Sequence, residues 1–187
     1  MKKVKLNPKG MYFPMPVTIV GSTVDGKPNF MAVSWISMVS YNPYKVAITL
    51  DKSRKTSEGI KSTGYFSVNI PDISLLDETD FCGIYSGHKF DKSQVFDVFY
   101  GENKEIPLIE NCPVSWECKL VRITEIEDSE MFIGEITNAY SEEKYILNDK
   151  IDLSKINSFL YDENHHTYFE TGGKIEDAYS PGKKLRK

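Results

Sequence analysis

The amino-acid sequence predicts a mainly β protein, an antiparallel barrel that is closed or nearly closed and carries a few short helices. Three observations carry this expectation. Short runs rich in β-branched and aromatic residues recur along the chain, separated by turn-forming pairs such as Asp25-Gly26 and Asn42-Pro43. Only two stretches have convincing helical character. There is no βαβ alternation, no GxGxxG after a strand and no GxxxxGK[ST], which argues against a Rossmann domain and a phosphate loop.

In chain order, Pro8, Pro14 and Pro16 make the first segment extended, because proline fixes φ and lacks a donor. Val17 to Val20 reads as a strand that continues to Val24, and Asp25-Gly26 turns it into a second strand over residues 30–40. Asn42-Pro43 supplies the next turn, and Val46 to Leu50 returns. A cationic, hydroxyl-rich turn, Asp51-Lys52-Ser53-Arg54-Lys55-Thr56, leads into a helix over 57–62 that Gly64 stops. Tyr65 to Ile70 is a strand ended by Pro71. A helix is expected from Ser74 to Tyr85, with Ser74 and Asp77 as a capping box and Leu75, Leu76, Thr79, Cys82 and Ile84 facing inward.

Residues 88–92 form a polar loop with Phe90 as anchor. Val114, Trp116, Cys118 and Leu120 alternate with polar residues as in a half-buried strand, and the phase shift near Val121 marks a bulge. Met131 to Tyr140 is its antiparallel partner, connected through Asp128-Ser129, and Phe159 to Tyr161 is a further strand. The chain reads as a single domain over 1–187, with a polar, basic, mobile tail from about residue 180.

Bulk properties narrow the function. The 187 residues suit one domain with a substantial core, and the net charge of −4 offers no broad basic footprint for nucleic acid. The longest apolar runs fall far short of the roughly 20 residues that cross a bilayer, so no membrane partner is expected. Asn7-Pro8 and Gly10 interrupt the basic N-terminus before an apolar signal core develops. Three cysteines without a CxxC pair read as reduced, buried thiols, and the compartment expected is the cytoplasm.

Catalytic constellations are sparse. No serine sits in a GxSxG elbow, and no cysteine has a histidine beside it in sequence. The adjacent His165 and His166 would point to opposite sides of a strand, a poor arrangement for one metal. The carboxylates from Glu125 to Glu130 read as a solvated turn. The cationic turn is different: Ser53 and Thr56 offer hydroxyls, Arg54 a planar fork and Lys55 a point charge at a helix start, where anions bind. Taken alone, it reads as a solvated surface turn with Ser or Thr as cap. Ser34, Ser37 and Ser40 recur beside Trp35 in the preceding strand. Trp35 and Ser34 face opposite sides of that strand unless a bulge intervenes. Asn29 either stabilises the turn after Pro28 or faces a ligand, and Lys89 and Lys92 are either surface lysines or added positive charge for it.

Together these segments resemble the flavin reductase-like proteins with an FMN-binding split barrel, most closely their flavoredoxin branch. The resemblance runs from about Pro14 to Gly182. It rests on Pro14-Met15-Pro16-Val17, on Asn29 to Ser40 followed by Asn42-Pro43, and on Asp51 to Thr56. Tyr65 to Ile70, the loop from Ser86-Gly87 to Lys92 and Phe132-Ile133-Gly134-Glu135-Ile136 extend it. It implies a Greek-key-like split β-barrel, a homodimer and one non-covalent FMN per subunit. By matching position, Asn29 and Trp35 would contact the flavin or its ribityl chain. Ala32, Val33 and Ser34 would line the ribityl and ring edge, with Ile36 and Ser37 beside the isoalloxazine. Ser53, Arg54 and Thr56 would hold the phosphate, helped by Lys89 or Lys92, and Tyr161 would cover the ring. Two departures stand out. Many relatives carry a histidine just before the Phe-Ile-Gly-Glu strand, where this chain reads Asp128-Ser129-Glu130-Met131, and the usual Pro-Pro of the turn is here Pro43-Tyr44.

The function implied is that of an FMN-dependent oxidoreductase or electron carrier, of flavin reductase or flavoredoxin type, fed by NADH, NADPH or a redox protein. The flavin would do the redox chemistry, so no side-chain acid or base is required. The rival is a non-enzymatic barrel that holds a flavin or haem as sensor or store.

Overall fold

The computed structural model describes residues 1–10 and 13–186. Seven strands form one antiparallel sheet: β1 (Thr18–Val24), β2 (Lys27–Val33), β3 (Ile36–Tyr41), β4 (Tyr44–Asp51), β5 (Tyr65–Ile70), β6 (Val114–Ile126) and β7 (Ser129–Ser141). Their spatial order is β2-β1-β5-β6-β7-β4-β3. The two edges of this sheet, β2 and β3, are consecutive in the chain and only Ser34-Trp35 lies between them. A sheet whose opposite edges are joined by two residues has to curl round on itself, and the result is a barrel with a seam. The fold is the mainly β one expected.

The seam is also where the single strand expected over 30–40 breaks. Ile36 N–H bonds back to Ser34 C=O at 3.1 Å, and Trp35 C=O accepts the Thr49 amide at 2.9 Å, so Trp35 already belongs to the β4 side. The chain leaves one edge at Val33 and joins the other at Ile36, and simple face alternation through Ser34 and Trp35 does not apply.

The hairpin turns follow their local chemistry. Asp25 and Gly26 both have positive φ, 51° and 74°, as a two-residue turn between right-twisted strands requires. Between β6 and β7 the turn is Glu127-Asp128, and Ser129 is already paired with Ile126, one residue earlier than the connection expected. The bulge expected near Val121 is present: Ile133 pairs with Arg122 and Gly134 with Leu120, which leaves Val121 as the extra residue.

Inside the barrel lie Val20, Val33, Val46, Ile48, Leu50, Phe66, Val68, Cys118 and Phe132, joined by Ile60 of the first helix. The fully buried Phe30, Phe66 and Phe132 each contribute about 1.5–3 kcal/mol by leaving water. Phe30 belongs to a second cluster with Ile19, Leu75, Cys82, Phe96, Ile109 and Cys112, outside the barrel wall. Ile19 and Val20 are therefore both fully buried although they point to opposite faces. All three thiols are free and buried, and burial pushes their pKa values up, Cys82 to about 11.

Helix α1 (Lys55–Thr63) begins two residues before the expected start and ends at Gly64, whose left-handed φ of 75° lets its amide cap Ile60 C=O. Helix α2 (Leu76–Ile84) is entered through a 3-10 turn at Ile73–Leu75. The capping box expected from Ser74 and Asp77 is replaced by Asp72, whose carboxylate accepts from the Ser74 amide at 2.9 Å. Leu75, Thr79 and Cys82 face inward as expected, but Ile84 is 63% exposed because it lies about 200° round the helix from Cys82.

Two interior polar networks hold the loops to the barrel. Asn69 of β5 bonds Ile19 C=O, Ser67 Oγ and the Ile109 amide. Glu117 of β6, fully buried, accepts from the Asn103 amide at 3.1 Å and from Asn138 Nδ2 at 2.7 Å. A C-terminal hairpin, β8 (Phe159–Asp162) and β9 (Thr167–Glu170), pairs with Met15–Pro16. Tyr168 Oη ties it to Asp80 of α2 at 2.8 Å.

Candidate functional site

Three segments distant in sequence converge: the first half of β2, at Asn29 and Phe30, the start of α1, and the loop 86–92. The start of α1 is the least finished of the three. Arg54 is its N-cap residue, with extended φ −79° and ψ 133°, and it makes no side-chain cap. An α-helix leaves its first amides without intrahelical partners, so an uncapped start concentrates positive potential. Arg54 Nε is buried with no hydrogen-bond partner among the described residues. A buried guanidinium N–H left unpaired costs free energy, and an anion at the helix start would satisfy it.

The neighbouring residues stiffen this start. Asn29 Nδ2 donates to Thr56 Oγ1 at 2.9 Å, both residues being buried, so the Thr56 hydroxyl hydrogen remains to be donated elsewhere. Gly87 comes so close that a Cβ there would collide with the Asn29 amide oxygen and stand 3.3 Å from the Lys55 stem. Ser57, one residue past Thr56, bonds Glu130 of β7 at 2.9 Å, and Lys61 reaches the same carboxylate at 2.6 Å. Glu130 is thus buried and fastened to α1, not part of a solvated turn as the sequence led us to expect. Burial opposes its ionisation, but Lys61 and Ser57 outweigh that and hold its pKa below the usual value.

The expected phosphate ligands are not equivalent. Ser53 gives its hydroxyl hydrogen to Asp51 at 2.6 Å, and that bond together with the Ser53 amide lowers the Asp51 pKa. Lys92 is 4% exposed and spends two of its three N–H groups on Phe30 C=O at 3.1 Å and Cys82 C=O at 2.9 Å. Burial pushes its pKa down. It fastens the loop to β2 and α2, whereas Lys89 is exposed and makes no ion pair among the described residues. His88 was not among the expected residues, yet its Nε2 lies 3.2 Å from Ser53 C=O and 3.6 Å from Glu58. Nothing local in the sequence marks it; the contact joins positions 35 apart.

Asn29, Lys55, Gly87, His88, Lys89 and Lys92, with Asp25 and Asp91 among others, line a cleft of about 320 Å³; Ser53, Arg54 and Thr56 stand next to it in the chain and are not part of its lining. Along the seam, Ala32 is half-buried against Gly83 of α2, and Ser34 is half-buried. The Val33 side chain is in the barrel core, so only its backbone is available to a ligand. Trp35 is 49% exposed. Ile36 and Ser37 border a separate cleft of about 280 Å³, whose lining, including Met38, Trp116, Phe159 and Leu160, has no charged residue. Tyr161 lines neither cleft; it sits on the C-terminal hairpin with its hydroxyl 2.8 Å from His166 Nδ1. His165 bonds Asp162, and no group of three or more metal-binding side chains occurs among the described residues.

A family model for the flavin reductase like domain matches residues 11–152. The chain belongs to the flavin reductase-like family. Among solved structures, this flavin reductase-like chain is similar to the flavoredoxin of Methanosarcina acetivorans, with 41% identity over 100% of both chains and a TM-score of 0.96. It is also similar to the flavoredoxin of Desulfovibrio vulgaris (Miyazaki F), at 30% identity over 97% of this chain and 100% of that one, with a TM-score of 0.87. A protein of Archaeoglobus fulgidus is 31% identical over 138 residues, which span 73% of this chain and 77% of that protein. The family match ends near Asp152, so the hairpin that carries Tyr161 lies beyond it.

Proposed function

We propose that this chain is an FMN-binding oxidoreductase or electron carrier whose cofactor lies along the barrel seam with its phosphate at the start of α1. The observation that carries the reading is the uncapped α1 start beside the buried, unpaired Arg54 Nε. A phosphate fits there: it supplies the acceptor oxygens that the helix amides, Arg54 and the Thr56 hydroxyl are arranged to meet. Bound FMN supplies the electron-transfer chemistry itself.

The chain's own residues then bind, orient and exclude water. Arg54, Thr56 and the first amides of α1 hold the phosphate, with Ser53 as a secondary contact. Asn29, through its bond to Thr56, keeps the floor of the cleft rigid. Ala32, the Val33 backbone, Ser34, Trp35, Ile36 and Ser37 offer a run of half-open seam against which a flat ring and its ribityl chain would lie. Lys92 holds the covering loop in place and Lys89 adds charge at its rim. Tyr161 is assigned to the outer face of the ring, supported by its hairpin being tied to α2.

We read residues 1–187 as one functional unit that works as a homodimer. The edge strand β3 and its turn expose Met38, Val39, Tyr41 and Tyr44, an apolar border that a second copy would cover. The three free buried thiols agree with a reducing compartment such as the cytoplasm, and no helix among the described residues is long and apolar enough to cross a membrane. The test is direct. The purified protein should be yellow, or become so with added FMN, and bleach with dithionite. A colourless protein that takes up no FMN would sink the proposal.

A further inference from the structure

The chain ends in an arm for which the flavin reading has no use. Thr171 is the last residue fastened to the body, its amide and hydroxyl both donating to Ser158 C=O. Beyond Gly172-Gly173, every residue from 174 to 186 is exposed. Among the described residues, each hydrogen bond or ion pair of this segment joins two of its own members, the Lys174–Asp177 pair at 2.6 Å among them. The arm is nevertheless shaped. It closes in a 3-10 turn at Pro181–Leu185, and Tyr179 holds a left-handed φ of 65°, a conformation that costs a bulky side chain free energy unless its surroundings impose it. Ile175, Tyr179 and Leu185 are 99%, 93% and 84% exposed. Large apolar side chains gathered on one short segment gain free energy when covered, and nothing on the arm's own chain covers these.

A matching surface lies at the arm's root. A groove of about 690 Å³ is lined by Leu147, Ile151, Leu153 and Ile156, and by residues 171–174 where the arm leaves the body. Leu147 and Ile151 belong to a small exposed hairpin, Ile146–Leu147 paired with Lys150–Ile151, and Leu153 stands exposed beyond it. The two charged residues of the lining are already partnered: Asp152 accepts from the Ser154 amide and hydroxyl, and Lys174 is paired with Asp177. The groove therefore suits an apolar occupant better than a charged ligand. The arm does not fill it from its own side, since Ile175 follows Lys174 of the lining directly and is almost fully exposed. The groove also adjoins the β3 border. Asn157 lines the groove, and the next residue, Ser158, lines the uncharged cleft together with Met38 of β3.

We infer that the arm crosses to a second copy of this chain and lays Ile175, Tyr179 and Leu185 into that copy's groove, each copy giving one arm and receiving one. A two-fold axis beside the two roots makes the exchange reciprocal, because whatever one arm meets on its neighbour is met in return. Gly172 and Gly173, whose Cβ positions would face open space, give each arm the pivot it needs to leave its own body. The inference deepens the homodimer reading above by adding a contact to the β3 border, and it does not depend on the flavin. A different protein is the poorer occupant. The arm and the groove are both unsatisfied, they meet at residues 172–174, and the groove stands beside the border assigned to a second copy, so one symmetric contact covers all three surfaces.

The experiment uses two full-length variants with different tags, Leu153→Cys in one and Tyr179→Cys in the other. After the two are mixed and allowed to exchange subunits, a short thiol-to-thiol cross-linker should join the two tags in one product. The parent, whose thiols are all buried, should give no such product. Ile175→Asp combined with Tyr179→Asp should weaken dimerisation about tenfold or more in sedimentation, as expected when large apolar side chains lose their cover. Leu153→Asp should weaken it too, and combining it with the arm substitutions should cost less than the sum of the separate effects. A dimer in which no cross-link joins the two tags would overturn the inference. So would a cross-link formed within one chain carrying both Leu153→Cys and Tyr179→Cys, or Asp variants that dimerise as tightly as the parent. Each of these outcomes leaves the β3 contact and the flavin reading standing. A parent that stays monomeric at every concentration removes the homodimer reading and the inference together, and still leaves the flavin reading untouched.

Discussion

Helices α1 and α2 are each nine residues long and neither has a side-chain cap at its N-cap residue, yet the segments that lead into them and the charges around their first turns differ. The turn into α2 is closed by Asp72, and Asp77 and Glu78 in its first turn oppose the helix dipole with the chain's own carboxylates. Helix α1 has a single acid there, Glu58, and follows an arginine that caps nothing. Arg54 and Lys55 at its start make no ion pair among the described residues, although Lys52 and Lys61 pair with Glu125 and Glu130. At α2 the N-cap residue Leu75 gives no side-chain cap either, but the 3-10 turn that feeds the helix is closed by Asp72 and the first turn carries two acids. The start of α1 is open beside the unpaired Arg54 Nε, as the proposed phosphate site requires, and on that proposal the difference would separate a packing element from a binding element.

The comparison breaks most visibly at Arg54. Arg54→Ala should weaken FMN about 10- to 100-fold, since a charge-assisted hydrogen bond is worth about 1.5–3 kcal/mol. Fluorescence titration of the apoprotein reads this, and an unchanged affinity would mean that the open start of α1 serves no ligand. A smaller effect is expected at Glu130, which anchors α1 to β7. Its folded pKa lies below the usual carboxylate value, so its contribution to stability is full above that value and is lost as pH falls through the folded pKa. Melting temperatures of Glu130→Gln should therefore depend less on pH than the parent's in the acid range, and parallel curves would refute the anchoring role. The smallest effect on the ligand belongs to α2. Asp72→Ala should cost about 0.5–2 kcal/mol of stability in denaturant melts and leave FMN affinity unchanged. If FMN weakens as much as in Arg54→Ala, the two helix starts are not separate in function.

How much of this was legible beforehand follows from how local each cause is. The Asp25-Gly26 turn, the Gly64 stop and the Val121 bulge are set by neighbouring residues, and each occurs where the sequence marks it. The cationic turn was also visible, but not its division of labour. Ser53 is occupied by Asp51, a local contact two residues away, whereas Lys92 is held by two carbonyls of β2 and α2 that only the fold brings to it. Glu130 reads as solvated when only its neighbours in sequence are considered; its burial depends on α1 lying across it. His88 escaped for the same reason. The seam itself was hidden, since a strand that changes edges at Ser34-Trp35 has the same composition as one that runs straight through.

The buried carboxylate of Glu117 has a consequence for how the molecule exchanges its hydrogens with solvent. Loop amides normally trade protons with water quickly, since nothing in a ladder holds them. The amide of Asn103 sits in a loop, yet it donates into the barrel wall through Glu117, as the Ile109 amide does through Asn69. In deuterated water these two positions should behave like strand interior, opening only when the barrel itself opens. They would mark the segment 103–109 as part of the protein's last-unfolding unit, despite its irregular backbone.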